Sequence, residues 1–427
     1  MAEIRAFRGL CYNPAKIDQI SNVIAPPYDV ISPEQKKELL ARSPYNIVRL
    51  ILPDGENPYQ NASLILQNWL QQQVLVSDPT PGIYCYHQTF KTPEGEEKTR
   101  KGFLALIRLV DFDQGIVLPH EATLSAPKED RLLLLRACKT NFSPIFSLYS
   151  DPDLMAEKLL DPFTTAPPRA KAQDPDGILN TFWAIFDRDT VAKVETIMKK
   201  HWVLIADGHH RYESCLLYRD ERSREDKNPD APFHFTLMHF CNINQPGITV
   251  LPYNRAVLNL PSFDPETILR KASTYFTIHP FDNPKSAFDE LKIAGREKTA
   301  FLARFAGTSD WKLFRLKPET KLESYYPPGT SEAVQNLDVN VLHKIVLGAI
   351  LSISDDDIRN QTYLKYYKNA EEEQKDFEHG KLQIAFFLNP TRVDQVVEVS
   401  KAGKKMPQKS TFFYPKLMTG FVMNKHE

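Results

Sequence analysis

The stretch Ala206-Asp207-Gly208-His209-His210-Arg211-Tyr212-Glu213 decides how this chain is read. Before it, Trp202-Val203-Leu204-Ile205 is a short apolar run of the buried-strand type. After it, Tyr212, Cys215 and Leu216 recur at helical spacing in a run that ends in charged residues near Arg224. The expected arrangement is a strand, a single-glycine turn, and a helix whose first turn carries two imidazoles and a guanidinium. The first N–H groups of a helix have no internal partner, and the helix dipole favours negative charge there. A glycine turn lets an anion approach those groups. Arg211 adds a planar fork matched to phosphate oxygens. Gly208, His209, His210 and Arg211 are therefore the phosphate- or nucleotide-binding candidates. Asp207 would repel a bare phosphate and suits a base, a metal ligand or a hydroxyl acceptor. The plainer alternative is a structural network in which His209 and Arg211 pair with nearby acids. Adjacent helical residues diverge by about 100°, so His209 and His210 do not face one ion as an i, i+4 pair does, and no zinc site is expected.

The whole chain bounds this reading. Its 427 residues suffice for two or three domains with cores of their own. With 53 Lys and Arg against 54 Asp and Glu it lacks the basic footprint of a protein held to nucleic acid, so no nucleic-acid partner is expected. Five scattered cysteines with no CxxC pair suggest neither a disulfide framework nor a thiolate zinc site. Met1 to Arg5 lacks the apolar run of a secretory leader, and no run of about 18 apolar residues occurs, so a soluble, cytoplasmic protein with no membrane partner is expected. Oligomeric state is not legible.

Along the chain, Val23 to Val30 reads as a short strand broken by Pro26-Pro27. Ser32-Pro33-Glu34-Gln35 reads as a capping box that opens a helix ending near Arg42. Asn46 to Leu52 reads as a strand and Asn61 to Gln73 as a helix. Gly82 to Thr89 and Lys101 to Val110 read as a hairpin. Residues 162–177, with Pro162, Pro167, Pro168, Pro175 and Gly177, read as a linker or surface excursion. From about Ser262 helices and strands alternate, including a helix from Val339 to about Leu351. The expected class is α+β or mixed α/β. Three domains are expected: an N-terminal α/β domain over 1–160, a central one over 178–260 carrying the glycine turn, and a C-terminal α/β domain over 261–427.

Three further clusters could carry chemistry. His120-Glu121, with Lys128, Asp130 and Arg131 downstream, places a carboxylate where it could project from a loop; the alternative is a solvated charged loop feeding a helix. Tyr28-Asp29 follows a proline-fixed turn, though a turn-stabilising aspartate explains it equally well. Lys409 and Ser410 in Gln408-Lys409-Ser410-Thr411, with Lys416 beyond, could hold a phosphate. That segment lacks the glycines of a P-loop, and an edge strand bearing lysines explains it as readily.

Four blocks carry a resemblance. Val23 to Val30, His120-Glu121, Ile205 to Glu213, and Met406-Pro407-Gln408-Lys409-Ser410-Thr411-Phe412-Phe413 together resemble the prokaryotic domain-of-unknown-function 1015 family, from end to end and in the same order. The central block, over about Ile178 to Tyr218, is more distantly similar to the ParB/sulfiredoxin-like superfamily, which includes free serine kinases with an Asp-Gly-His-His-Arg block. That resemblance implies a ParB/sulfiredoxin-like central domain in which Gly208, His209, His210 and Arg211 contact nucleotide phosphates and Asp207 lies beside the transferred group. Glu121 is placed as the counterpart of the kinases' catalytic glutamate by its position in the chain. His209 stands where sulfiredoxin has cysteine, which speaks against redox chemistry.

The expectation drawn from all this is a nucleotide-dependent phosphotransferase, a kinase acting on a small, serine-like hydroxyl metabolite. Asp207 or Glu121 would take the hydroxyl proton, ATP or ADP would be the donor, and Mg²⁺ would bridge phosphates. Tyr28, Asp29, His120, Lys128 and Arg131 are the substrate-binding candidates. Two other readings stay open: a phosphatase acting on a small phosphate ester, with His209 or His210 as nucleophile, and a non-catalytic nucleotide- or metabolite-sensing protein.

Overall fold

The computed structural model describes residues 1–123 and 125–426. It is a mixed α/β protein whose chain forms two compact units. The first comprises Met1–Pro119, Thr123–Thr249 and Pro415–Glu427; the second comprises His120–Ala122 and Val250–Tyr414.

A mixed sheet organises the first unit. Its strands run in the order Ala170–Gln173, Leu179–Ile185, Ile83–Lys91, Phe103–Arg108, Phe235–Asn242, Ile145–Tyr149, Val203–Asp207 and Val117–Leu118. Ile145–Tyr149 runs parallel to Phe235–Asn242, and Val117–Leu118 parallel to Val203–Asp207; the other neighbours along this order are antiparallel. The central strands are buried throughout and mainly apolar, as suits strands covered on both faces: all eight residues of Phe235–Asn242 and all five of Ile145–Tyr149 are buried. Residues 178–260 therefore do not stand apart as a domain. Leu179–Ile185 pairs with Ile83–Lys91, and Phe235–Asn242 lies between Phe103–Arg108 and Ile145–Tyr149. Their sheet partners thus include strands from before position 150.

The capping box at Ser32 forms as read, with Ser32 accepting from the Gln35 N–H and Gln35 accepting from the Ser32 N–H. The hairpin also forms, Ile83–Lys91 pairing with Glu97–Arg100 and, past Gly102, with Phe103–Arg108. Three readings change. Asn46 to Leu52 contains a helical turn, Val48–Ile51, rather than a strand. The Asn46 side chain accepts from the Val48 N–H and donates to the Asn22 and Ile24 carbonyls, so a local cap overrides the strand preference of the Val and Ile residues. Val23 to Val30 holds the end of a helix, Ile20–Val23, and a 3₁₀ turn, Tyr28–Val30. The proline-rich linker contributes an edge strand, Ala170–Gln173, an exposed position where a proline-flanked segment is tolerated.

The second unit is built on an antiparallel sheet. Its order is Phe276–Phe281, Trp311–Leu316, Ala300–Phe305, Ile384–Leu388, Asn254–Val257 and Leu364–Tyr367. Pro284–Glu297 packs its buried Ala287, Leu291 and Ala294 into the core beneath that sheet. The expected helix over 339–351 is present but changes pitch, an α-turn at Asp338–Val341 widening to π-type turns over Leu342–Ile350.

Candidate functional site

The motif folds as its residues dictate. Val203–Asp207 is a buried strand, and the helix runs His209–Glu225. Between them Gly208 adopts φ +96°, a conformation open to glycine at little cost. A Cβ there would meet the Arg211 guanidinium at 2.9 Å, so the missing side chain is the space into which Arg211 folds back.

That guanidinium is held from two sides. Arg211 Nη2 donates to Asp207 Oδ2 at 2.6 Å, and Nη1 donates to the Pro144 carbonyl. The other Asp207 oxygen is paired with Lys416 Nζ. All three side chains are largely buried, at 15 % exposure for Asp207, 11 % for Arg211 and 14 % for Lys416. Burial by itself would raise the Asp207 carboxyl. Lys416 and Arg211 outweigh it and hold the group well below the usual carboxylate range. Asp207 is thus a permanently ionised anchor that aligns two cations.

A buried polar ladder presents Lys416. Tyr86 Oη donates to Asn180 Oδ1 at 2.6 Å, Gln88 Nε2 donates to the same oxygen and to the Lys416 carbonyl, each at 2.9 Å, and Arg100 donates to Gln88 and the Pro415 carbonyl. The Arg100 guanidinium lies 4.4 Å over the Phe146 ring. Sequence reading missed this ladder. Its signal is polar residues at buried strand positions: Gln88, Arg100 and Asn180 are each no more than 1 % exposed.

His209 is buried and His210 half-buried, so the adjacent imidazoles do diverge. Tyr28, Arg131, Asn141, Ser143 and Arg211 line a small cleft. There the Arg131 guanidinium stacks 3.9 Å over the Tyr28 ring while donating to Asp130 and the Ile51 carbonyl. Burial and neighbouring Asp29 push the Tyr28 hydroxyl up to about 12. Asp29 itself is exposed on its 3₁₀ turn. Lys128 is occupied structurally, pairing with Glu213 at 2.9 Å and tying Ser125–Cys138 to the motif helix.

The remaining candidates belong to the second unit, and there the structure joins two blocks. Glu121 and Met406 form a β-bridge, and the Met406 N–H donates to the His120 carbonyl at 2.7 Å. His120, 1 % exposed, shares a hydrogen bond of 2.8 Å with the Thr411 hydroxyl. Glu121 accepts from the Lys409 N–H at 2.6 Å, and Arg255 donates to the Lys409 carbonyl at 2.8 Å. Lys409 sits between them at φ +57°, strained for a residue with a side chain. The Ser410 hydroxyl donates to the Pro407 carbonyl and is 4 % exposed, which marks a turn-forming hydroxyl. Arg255, 1 % exposed and pushed down to about 10 by burial, was also missed by sequence reading.

Among the described residues no group of three or more His, Cys, Asp and Glu side chains is placed to hold a metal ion, and no helix is long and apolar enough to cross a membrane.

Comparison with known proteins bears on the first three of the four blocks, since Met406 to Phe413 lies beyond the matched residues. The family model described as protein of unknown function (DUF1015) matches residues 4–340. The chain belongs to this family. As a DUF1015 protein it matches no curated protein. Solved structures similar to it include a mutant free serine kinase in complex with ADP, at 14 % identity over 76 % of this chain and 92 % of that one, with a TM-score of 0.37. A conserved hypothetical protein from Pyrococcus furiosus is similar at 14 % identity over 75 % and 95 %, TM-score 0.35. SbnI with a C-terminal truncation, from Staphylococcus aureus, is similar at 10 % identity over 75 % and 86 %, TM-score 0.36.

Proposed function

We propose that this DUF1015 protein is a nucleotide-dependent phosphotransferase acting on a small hydroxyl metabolite, with the Gly208 turn as its phosphate site. The observation that carries the reading is the Asp207 anchor. One carboxylate aligns a guanidinium and an ammonium beside the N-terminus of a 17-residue helix. An incoming phosphate chain meets the first N–H groups of that helix and two pre-oriented cations in a low-dielectric setting. Because Asp207 stays with Arg211 and Lys416, it neutralises part of their charge and fixes their direction.

In the transfer itself the terminal P–O bond of ATP or ADP breaks, a P–O bond to the acceptor oxygen forms, and the acceptor's proton passes to a base. Asp207 is held too low to accept that proton at neutral pH, so its role is positioning. The base is then a group other than Asp207. A Mg²⁺ ion enters with the nucleotide, since this ion is commonly bound through substrate phosphates and one or two carboxylates. Arg131 over Tyr28, in the cleft that Arg211 also lines, is suited to an acceptor's carboxylate.

The test is turnover of ATP or ADP with Mg²⁺ and a pool of hydroxyl metabolites, serine among them. The expected result is phosphorylated acceptor from the wild-type protein and at least a hundredfold less from Arg211→Ala. Absence of nucleotide binding by calorimetry, with no turnover from either donor, overturns the reading.

A further inference from the structure

The second unit contains a cavity of about 440 Å³, within the range of small-molecule sites, which run from about 300 to 1,000 Å³. Its walls come from four places in the chain. Pro284–Glu297 contributes Arg296 at its C-terminal end, and Lys298 follows. Lys317 leaves the strand Trp311–Leu316. Asp338 begins the turn Asp338–Val341. Arg392 and Gln395 stand at the start of the helix Val393–Lys401. Among the described residues four cations and one acid line the cavity, in a chain whose overall net charge is −1, so the positive excess is local.

The cations are held loosely. Lys317 Nζ donates to the Ser273 carbonyl, and Arg392 Nε pairs with Asp394, whose side chain is 70 % exposed. Such surface pairs are worth about 0–1 kcal/mol, so an anion displaces them at small cost. The acid at the base is built differently. Burial pushes the Asp338 carboxyl up to about 7, so near neutral pH it cancels only part of the cationic charge. Asn389 packs against residue 295 because that residue is glycine. Its side-chain nitrogen lies 2.0 Å from where a Cβ would stand, and it donates to the Leu291 carbonyl at 3.1 Å. A smaller pocket, which shares Gly295, Asp338, Arg392 and Gln395 with the cavity, continues to Arg255 and Ser410. The cavity is thereby linked to the Lys409–Ser410 segment of the same unit.

We infer that this cavity binds a compact metabolite carrying two or more negative charges, held by Arg296, Lys298, Lys317 and Arg392, with Asp338 and Gln395 facing its neutral polar groups. The site is independent of the Gly208 turn.

Hydrogen–deuterium exchange on the full chain tests it, with pyrophosphate as one probe and citrate as the other. The expected result is slowed exchange in peptides covering 295–299, 316–320 and 392–395. In the double variant Lys298→Gln, Arg392→Gln that protection is lost and calorimetric affinity falls at least tenfold. Both side chains are exposed, so an unchanged thermal melt is expected of the variant. Protection by pyrophosphate alone assigns the site to phosphorylated ligands, and equal protection by citrate assigns it to polyanions in general. Protection confined to residues around 207–211, protection that survives the double variant, or no protection by either probe overturns the inference. Because the peptides read are separate from the Gly208 turn, this failure is distinguishable from failure of the phosphotransferase reading.

Discussion

Two of the left-handed backbone positions that stand beside cations, Gly208 and Lys409, are stabilised in opposite ways. At Asp207–Arg211 the left-handed residue is glycine, and the space it leaves is filled by Arg211, which a carboxylate then pins. At Met406–Thr411 the left-handed residue is Lys409 itself, and its strain is offset by hydrogen bonds from charged groups on both sides of its backbone, Glu121 on the N–H and Arg255 on the carbonyl. The first arrangement stores little strain and depends on a charge balance. The second stores strain and depends on two partners from distant parts of the chain. A ligand that competes for the cations would act on the first through electrostatics. A ligand that competes for Glu121 would release the second.

The largest effect is expected at the charge balance. Asp207→Ala leaves two largely buried cations without their shared partner, which should cost about 3 kcal/mol in chemical denaturation. The same group sets a pH dependence. Its folded-state carboxyl lies below the unfolded value of about 3.9, so its contribution is complete above that value and is lost as pH falls towards the folded value. Denaturation curves from pH 5 down to pH 2.5 should therefore fall less steeply for Asp207→Asn than for the wild type. Equal slopes would mean that the ion pairs do not form as described.

Next comes the turn. Gly208→Ala demands φ +96° of a residue with a side chain and drives a Cβ towards the Arg211 guanidinium, an expected loss of about 2 kcal/mol by thermal denaturation. Nucleotide affinity should fall with it. The smallest effect has the opposite sign. Lys409→Gly removes left-handed strain of about 1–2 kcal/mol. It adds unfolded-state freedom worth roughly 0.5–1 kcal/mol, a net gain of about 0.5 kcal/mol. A loss of stability in this variant would show that the Lys409 side chain contributes more than its backbone costs.

The contrast also explains what sequence reading could reach. The Gly208 turn was legible because strand, glycine and helix are consecutive, and each has a local cause. The Ser32 capping box and the hairpin at 92–96 were legible for the same reason. Lys416 reaches Asp207 across 209 positions, and Arg255 reaches Lys409 across 154; no local pattern announces either pairing. His120-Glu121 and Met406 to Thr411 were both singled out, but only the fold shows that one secures the other. Asn46 to Leu52 was misread because its Val and Ile residues favour a strand in isolation, while a single Asn side chain and burial against the core of the first unit fix a helical turn. The separate central domain was misread because the apolar strands of 178–242 look self-sufficient until their sheet partners are known.

The central claim is that the Asp207–Arg211 turn, with Lys416, receives a nucleotide's phosphates. A crystal structure of the protein soaked with ADP and Mg²⁺ tests it most directly. The account predicts phosphate oxygens at the N–H groups of His209 and His210 and within hydrogen-bond distance of Arg211 or Lys416, with the adenine outside the turn. Nucleotide bound elsewhere, with Arg211 and Lys416 still paired to Asp207 and no phosphate at Gly208, would contradict it.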